Sequence, residues 1–299
     1  MEEIKKRQHY VWKDYLRSWA ESNDLIPTYF KQQKKTAKPN LRNVAQEIFF
    51  YESAEFTKVE LKQLLDITYQ LSNENSLESC LSIFSAFTFY SEIKNQLIEK
   101  KIDFSESDIR FIKTNFIEDL HSDFEGYGRK LIKVKTFEDL AFLKDKEELL
   151  RTLIYLCIQY SRTKPMRNKF HKSSISNKLS NPVSMIFAIS MANRLTFDKN
   201  LCFTFLINQT AVNYITGDQP VINLADISGN GSVEEIILYY PINPKTAIQI
   251  NVIDDKSSFE TEKIETSEVV NELNSKIYQH ADNFVFSDSE EQILKYGEI

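Results

Sequence analysis

The stretch Leu201-Cys-Phe-Thr-Phe-Leu-Ile207 decides the fold, because there the apolar period changes from the 3.6 of the preceding residues to the 2 of a pleated strand. β-Branched and aromatic residues recur downstream in 212–216, 235–240 and Thr246–Val252, bounded by Asn-Gln, Gly-Asp, Gly-Asn-Gly and Pro-Ile-Asn-Pro breakers. That spacing predicts successive strands of hairpin length. A helix near Ser267–His280 and a short strand over 283–287 follow. Upstream, 56–160 is helical in period. Thr57-Lys58-Val59-Glu60 has the form of a capping box ahead of Leu61, Leu64, Leu65 and Thr68. Ser105 or Ser107 can cap a stripe of Ile109, Phe111, Ile112, Phe116, Ile117 and Leu120 that Gly126 and Gly128 end. The segment 137–162 is the most apolar and is expected to be one central helix. Before it all, aromatic clusters around Tyr10–Trp19 and Tyr29-Phe30, separated by Ser22-Asn23-Asp24, predict a short helix and then a strand.

Helices in one block and strands in another give an α+β fold: a central helical block, a mainly antiparallel sheet, and an N-terminal segment packing on both. We read residues 1–299 as one compact unit. Its subregions are a basic aromatic segment (1–52), the helical block (53–200) and the sheet with its C-terminal helix (201–299).

The composition fits a globular chain. Of 299 residues, 42% are hydrophobic and 27% charged, with 6 Gly and 7 Pro, which excludes collagen-like and wholly disordered classes. No apolar run reaches the roughly 18 residues that span a bilayer, and the N-terminus lacks a signal-peptide core, so the expectation is a cytoplasmic protein with no membrane partner. Cys80, Cys157 and Cys202 stand far apart in apolar surroundings, as reduced core residues do. The net charge of −6 argues against a protein that coats nucleic acid indiscriminately. Its distribution is uneven. Residues 1–42 hold ten Lys/Arg against five acids; 152–197 contains Arg162, Lys164, Arg167, Lys169, Lys172, Lys178 and Arg194 with no acid; acids gather in 254–298. Two basic segments meeting in space would make a positive cleft for a phosphate-bearing ligand. The alternative is that these cations pair with the acidic tail or face solvent.

The phosphate loop, His-Glu-x-x-His, Cys-x-x-Cys and Gly-x-Ser-x-Gly signatures are all absent. Of four histidines, His9 lies beside Tyr10 in the basic segment, where an imidazole can serve as general acid or base. Gln159 and Arg162 share one face of the apolar helix with Tyr155, and a polar stripe there needs partners. Arg162 offers a fork of donors to a phosphate or carboxylate; equally, it can cap the helix end. Asp218, on the turn Thr216-Gly217-Asp218-Gln219-Pro220, is rigidly placed as a base or metal ligand would be, or bonds its own backbone.

Five blocks occur in a familiar order: Arg7-Gln8-His9-Tyr10-Val11 with Tyr15-Leu16-Arg17; Ile48-Phe49-Phe50-Tyr51; Gln159-x-x-Arg162-Thr163 with Pro165 and Arg167; Tyr214 to Val221; and Tyr240-Pro241-Ile242-Asn243-Pro244. Over about residues 5 to 288 the chain resembles the bacterial family catalogued as domain of unknown function 4238. It departs at Trp12, where that family usually has Pro, at Gly217, where Ser is usual, and by inserting Lys164. The resemblance implies one contiguous unit with a shared pocket, and its sporadic bacterial occurrence is similar to that of phage-defence and toxin-like effectors.

The expectation is therefore that His9, Gln159, Arg162 and Asp218 converge as catalytic residues, with Tyr10, Tyr15, Arg17, Arg167 and Lys169 binding substrate. The reaction class is phosphodiester cleavage of nucleic acid by an intracellular effector. Two alternatives stay open: a non-catalytic binding or assembly module in which the polar residues form a structural network, and a hydrolase of a nucleotide cofactor. A partner protein of a defence system is possible. No cofactor is evident; a divalent metal could be held by Asp218 with Glu47, Glu52 or Glu125.

Overall fold

A computed structural model describes residues 7–50, 54–172, 176–226, 235–253 and 258–297, without the side chains of 106–114 and 170–172. The chain opens with β1 (Arg7–His9), α1 (Lys13–Leu16) continued by a 3-10 turn, β2 (Thr28–Phe30), β3 (Lys35–Ala37) and β4 (Gln46–Ile48). The helical block is α2 (Lys58–Leu71), α3 (Leu77–Glu99), α4 (Glu106–Tyr127), α5 (Lys146–Ser161), α6 (Lys164–Lys172) and α7 (Asn177–Thr196). There follow β5 (Leu201–Asn208), β6 (Thr216–Gly217), β7 (Ile222–Asn223), β8 (Leu238–Asn243), β9 (Thr246–Val252) and β10 (Phe259–Ile264). The last elements are α8 (Ser267–His280), β11 (Phe284–Phe286) and α9 (Glu290–Gly297). This is the expected α+β architecture, with helices central and sheets mainly antiparallel.

Strands β10-β5-β9-β8-β7 form one sheet, β3-β2-β11-β6 a second, and β1 pairs with β4 in a separate ribbon. Period-2 alternation gives the five-stranded sheet two buried faces. Phe203, Phe205, Tyr240, Ile248 and Ile250 join the core of the helical block, while Leu206, Tyr239 and Ala247 pack with Val270 and Ile277 of α8. The larger buried cluster runs from Tyr10 through α5 and α7 to Phe286, so all three subregions share it.

The capping box at Thr57 and Glu60 forms as expected. Three local expectations are corrected. Asp145 breaks 137–162 in two: its carboxylate accepts from the amides of Glu147 and Glu148 and starts α5 afresh, leaving a 3-10 helix before it. Residues 212–215 are not a strand. Their amides are satisfied singly, Asn213 by Gln292 Oε1, Tyr214 by the Pro244 carbonyl and Ile215 by Asn274 Oδ1, and only Thr216 and Gly217 join a ladder. β8 begins at Leu238 and runs to Asn243. β10, with its alternating Phe-Glu-Thr-Glu-Lys-Ile, was not anticipated; it is a charged edge strand parallel to β5.

An aromatic seam holds α1 between helices and sheet. The Tyr15 ring stacks on Tyr240 at 4.9 Å; its hydroxyl donates to the Pro241 carbonyl at 2.8 Å and lies 2.7 Å from Thr216 Oγ1. Trp12 meets the edge of Tyr155, whose hydroxyl lies 2.8 Å from that of Tyr240, and Trp19 Nε1 donates to the Tyr214 carbonyl. Tyr155 packs so closely over Gly128 that a Cβ there would come within 2.7 Å of the ring.

Candidate functional site

The seam seats the start of α1 against α4. A cleft of about 410 Å³ opens between them, lined by His9, Trp12, Lys13, Arg42, Glu118, His121, Ser122 and Glu125. Four of these, Glu118, His121, Ser122 and Glu125, recur at helical spacing and form one face of α4. His9 ends β1, opposite Gln46 of β4. Arg42 comes from the 3-10 turn Leu41–Asn43, which the Asn40 side chain caps.

Behind the cleft lies Arg162, at the C-terminal end of α5 and 0% exposed. Its Nη2 donates to Glu125 Oε1 at 2.8 Å and to Gln159 Oε1 at 3.1 Å. The Glu125 side chain is 16% exposed, so one carboxylate faces both the cleft and the buried guanidinium. Burial raises the Glu125 carboxyl above its usual range, against the pull of Arg162. Desolvation, then the charges of Arg162 and Lys13, bring the His9 imidazole down to about 4. His121 is lowered too, by burial and then by Arg162 and Arg167. Both rings are neutral near pH 7, and a neutral imidazole accepts protons.

The structure thus brings together His9, Gln159 and Arg162. Asp218 is elsewhere: its carboxylate accepts from the amides of Asp282, Asn283 and Phe284 at 2.8, 2.9 and 3.0 Å and fixes the turn into β11. An Asp on a tight turn satisfies backbone donors first, which corrects the expected four-way convergence. Burial still raises its carboxyl to about 6, the three amides working against that rise. Its neighbour Gln219 bonds the Tyr160 and Val221 carbonyls and accepts from the Thr163 hydroxyl, docking the end of α5 on the sheet.

The residues expected to bind substrate are spread out. Tyr15 is buried in the seam. Arg17, half exposed, pairs with Asp14 and Asp24. Tyr10 is buried against Phe50 at 5.1 Å between ring centroids. Lys169 pairs with Asp226 at 2.5 Å. Arg167 donates to the Phe50 carbonyl at 3.2 Å and lies over that ring at 4.4 Å, lining a second cleft.

The basic stretch 152–197 does meet the N-terminal segment, but its cations carry acids of their own: Arg162 with Glu125, Lys164 with Glu47, Lys169 with Asp226 and Lys178 with Glu60. None of these four partners belongs to the acidic tail. The carboxylates considered for a metal are held apart in the same way, Asp218 on its amides, Glu47 on Lys164 and Glu125 on Arg162; Glu52 lies outside the described residues. Among the described residues no group of three or more His, Cys, Asp or Glu is placed to hold a metal ion.

Sequence reasoning missed Glu118 and His121 as a constellation. The available signal was Glu118-x-x-His121-x-x-x-Glu125, which sets three titratable groups on one helix face. No helix among the described residues is long and apolar enough to cross a membrane.

No curated protein and no solved structure matches the chain. A family model does, over residues 7–199 and 188–291, and the chain therefore belongs to the family described as Protein of unknown function (DUF4238).

Proposed function

We propose that the cleft between α1 and α4 cleaves phosphodiesters in nucleic acid, with His9 as general base. The observation that carries this reading is a neutral imidazole beside Lys13 and Arg42 in an open cleft, backed by the buried Arg162–Glu125 pair. Lys13 and Arg42 bind the phosphate and stabilise the negative charge that grows on its oxygens. His9 takes the proton of the attacking hydroxyl, from water or a ribose 2′-OH, as its oxygen bonds to phosphorus. It returns that proton to the departing oxygen as the P–O bond breaks. Arg162 acts from behind, holding Glu125 in place and disfavouring a charged imidazole; Gln159 braces the guanidinium.

The test is cleavage of labelled single-stranded RNA and DNA by purified protein. His9→Gln is expected to lower the rate by about 100-fold or more while melting unchanged. Full activity in that variant overturns the reading. The cellular setting proposed with it, an effector of phage-defence or toxin type, rests on the family resemblance and is tested by growth arrest on induction.

A second reading is favoured by one observation, the pairing of four basic side chains in 152–197 with carboxylates. On that reading the cluster is a structural network of an assembly module. His9→Gln then lowers the melting temperature sharply and no cleavage is detected.

A further inference from the structure

The second cleft, also about 410 Å³, is lined by Glu47, Ile48, Phe49, Phe50, Lys164, Arg167, Asn168, Asn177 and Ser180. It shares no lining residue with the first, yet the β1–β4 ribbon joins the two. His9 stands opposite Gln46, and Ile48 lies two residues further along β4, opposite Arg7. At about 3.3 Å per residue, the two rungs are about 7 Å apart.

The chemistry of this second cleft differs from that of the first. Two cations, Lys164 and Arg167, face one carboxylate, Glu47, which lies 2.7 Å from Lys164 Nζ. Two phenylalanines line it beside Ile48, which is 65% exposed. Phe49 is held at φ 56°, a left-handed backbone that bulky residues seldom adopt and that persists where the surroundings impose it. Arg167 covers one face of Phe50 and Lys164 lies 5.5 Å from the Tyr10 ring, so cations and aromatic rings interleave. Asn168, Asn177 and Ser180 add amide and hydroxyl groups. Cations along a groove together with aromatic side chains are what proteins use to hold single-stranded nucleic acid without reading its sequence.

We infer that this second cleft is a subsite for the nucleotides flanking the scissile phosphate, so that the substrate is a single strand several nucleotides long and not a mononucleotide or a dinucleotide cofactor. Lys164 and Arg167 hold backbone phosphates, and Phe49 offers a surface for a base. The inference rests on the reading of the His9 cleft as the reaction centre, and it adds the class and length of substrate.

The test uses the full-length His9→Gln protein, which keeps strands intact, with fluorescein-labelled oligouridylate and oligothymidylate of two and twelve nucleotides at low salt, followed by anisotropy. The twelve-mer is expected to bind at least tenfold more tightly than the dimer. Adding Arg167→Gln lowers twelve-mer affinity about tenfold and reduces the slope of log K against log salt by about one. Asn168 is exposed, so Asn168→Glu places a repelling charge in the groove without disturbing packing, and it too weakens the twelve-mer about tenfold. Equal affinity for both lengths, no binding of the twelve-mer, or an unchanged twelve-mer affinity in Asn168→Glu overturns the inference. Preference for uridylate or thymidylate assigns RNA or DNA within the same proposal. Cleavage by the wild-type chain without length dependence removes the subsite and leaves the reaction. Length-dependent binding with no cleavage of any strand removes the reaction and leaves the subsite.

Discussion

His9 and Asp218 are both polar groups drawn into the interior, and their surroundings move them in opposite senses. The imidazole falls to about 4, under burial and two cations, and looks into an open cleft. The carboxyl rises to about 6 under burial, although three backbone amides point at its oxygens. A polar residue drawn inward thus marks a site only when it borders a space that a ligand can enter. Asp218 has given both oxygens to the turn it fixes, and the amide of Asp218 in turn donates to the Phe284 carbonyl. His9 lies among groups from three other elements, α1, the 3-10 turn at Arg42 and α4, around such a space.

Variants at either residue test this difference. The largest effect is expected at Arg162, the hinge of the cleft side. Arg162→Ala leaves the Glu125 carboxylate buried without its partner and should cost about 3–5 kcal/mol in urea unfolding. Asp218→Ala comes next, at about 3 kcal/mol, because three amides lose their acceptor. Cleavage per folded molecule should survive Asp218→Ala and not His9→Gln; the reverse pattern would invert the two assignments.

Acid titration sharpens the contrast. His9 binds its proton at about 4 when folded and at 6.5 when unfolded, so the unfolded chain takes up protons first and stability is lost as pH falls from about 6.5 to about 4. Asp218 binds its proton at about 6 when folded and at 3.8 when unfolded, so its contribution is lost as pH rises from about 4 to about 6. Each shift corresponds to about 3 kcal/mol, and the two oppose each other across the shared window. Unfolding free energies measured from pH 4 to 7 should therefore slope downward with pH in His9→Gln relative to wild type, and upward in Asp218→Asn. The smallest effect expected is for Gly128→Ala, whose methyl collides with the buried Tyr155 ring; about 2 kcal/mol is lost in thermal melting, from overpacking and not from any polar group.

Much of the fold was legible because its signals are local. The period change at Leu201, the Thr57–Glu60 box and the boundaries of β9 and α8 depend on residues close in sequence. What was missed depends on distant partners. Residues 212–215 have strand composition, yet their amides find α8, α9 and the Pro244 turn before any strand. β10 exists because β5 offers it a parallel edge, which no short window reveals. At the site, Gln159 and Arg162 stood out because polar groups on an apolar helix demand partners. Asp218 misled because a turn aspartate and a catalytic one read alike until the donors bonded to them are counted. Glu118 and His121 were overlooked because the polar face of an amphipathic helix looks like any wetted surface. The chain's own departures also find explanations: Trp12 lines the cleft and supports Tyr155, and Lys164 neutralises Glu47 on the ribbon.

The Tyr15 hydroxyl meets Thr216 and Pro241, partners 201 and 226 positions further along. The α1 segment therefore docks only once Thr216 and the end of β8 are in place, and contacts of such long range form late. His9, carried on that same segment, cannot face α4 with its cleft complete until the sheet has been made. The cleft is thereby a product of the completed fold and not of its helical half alone.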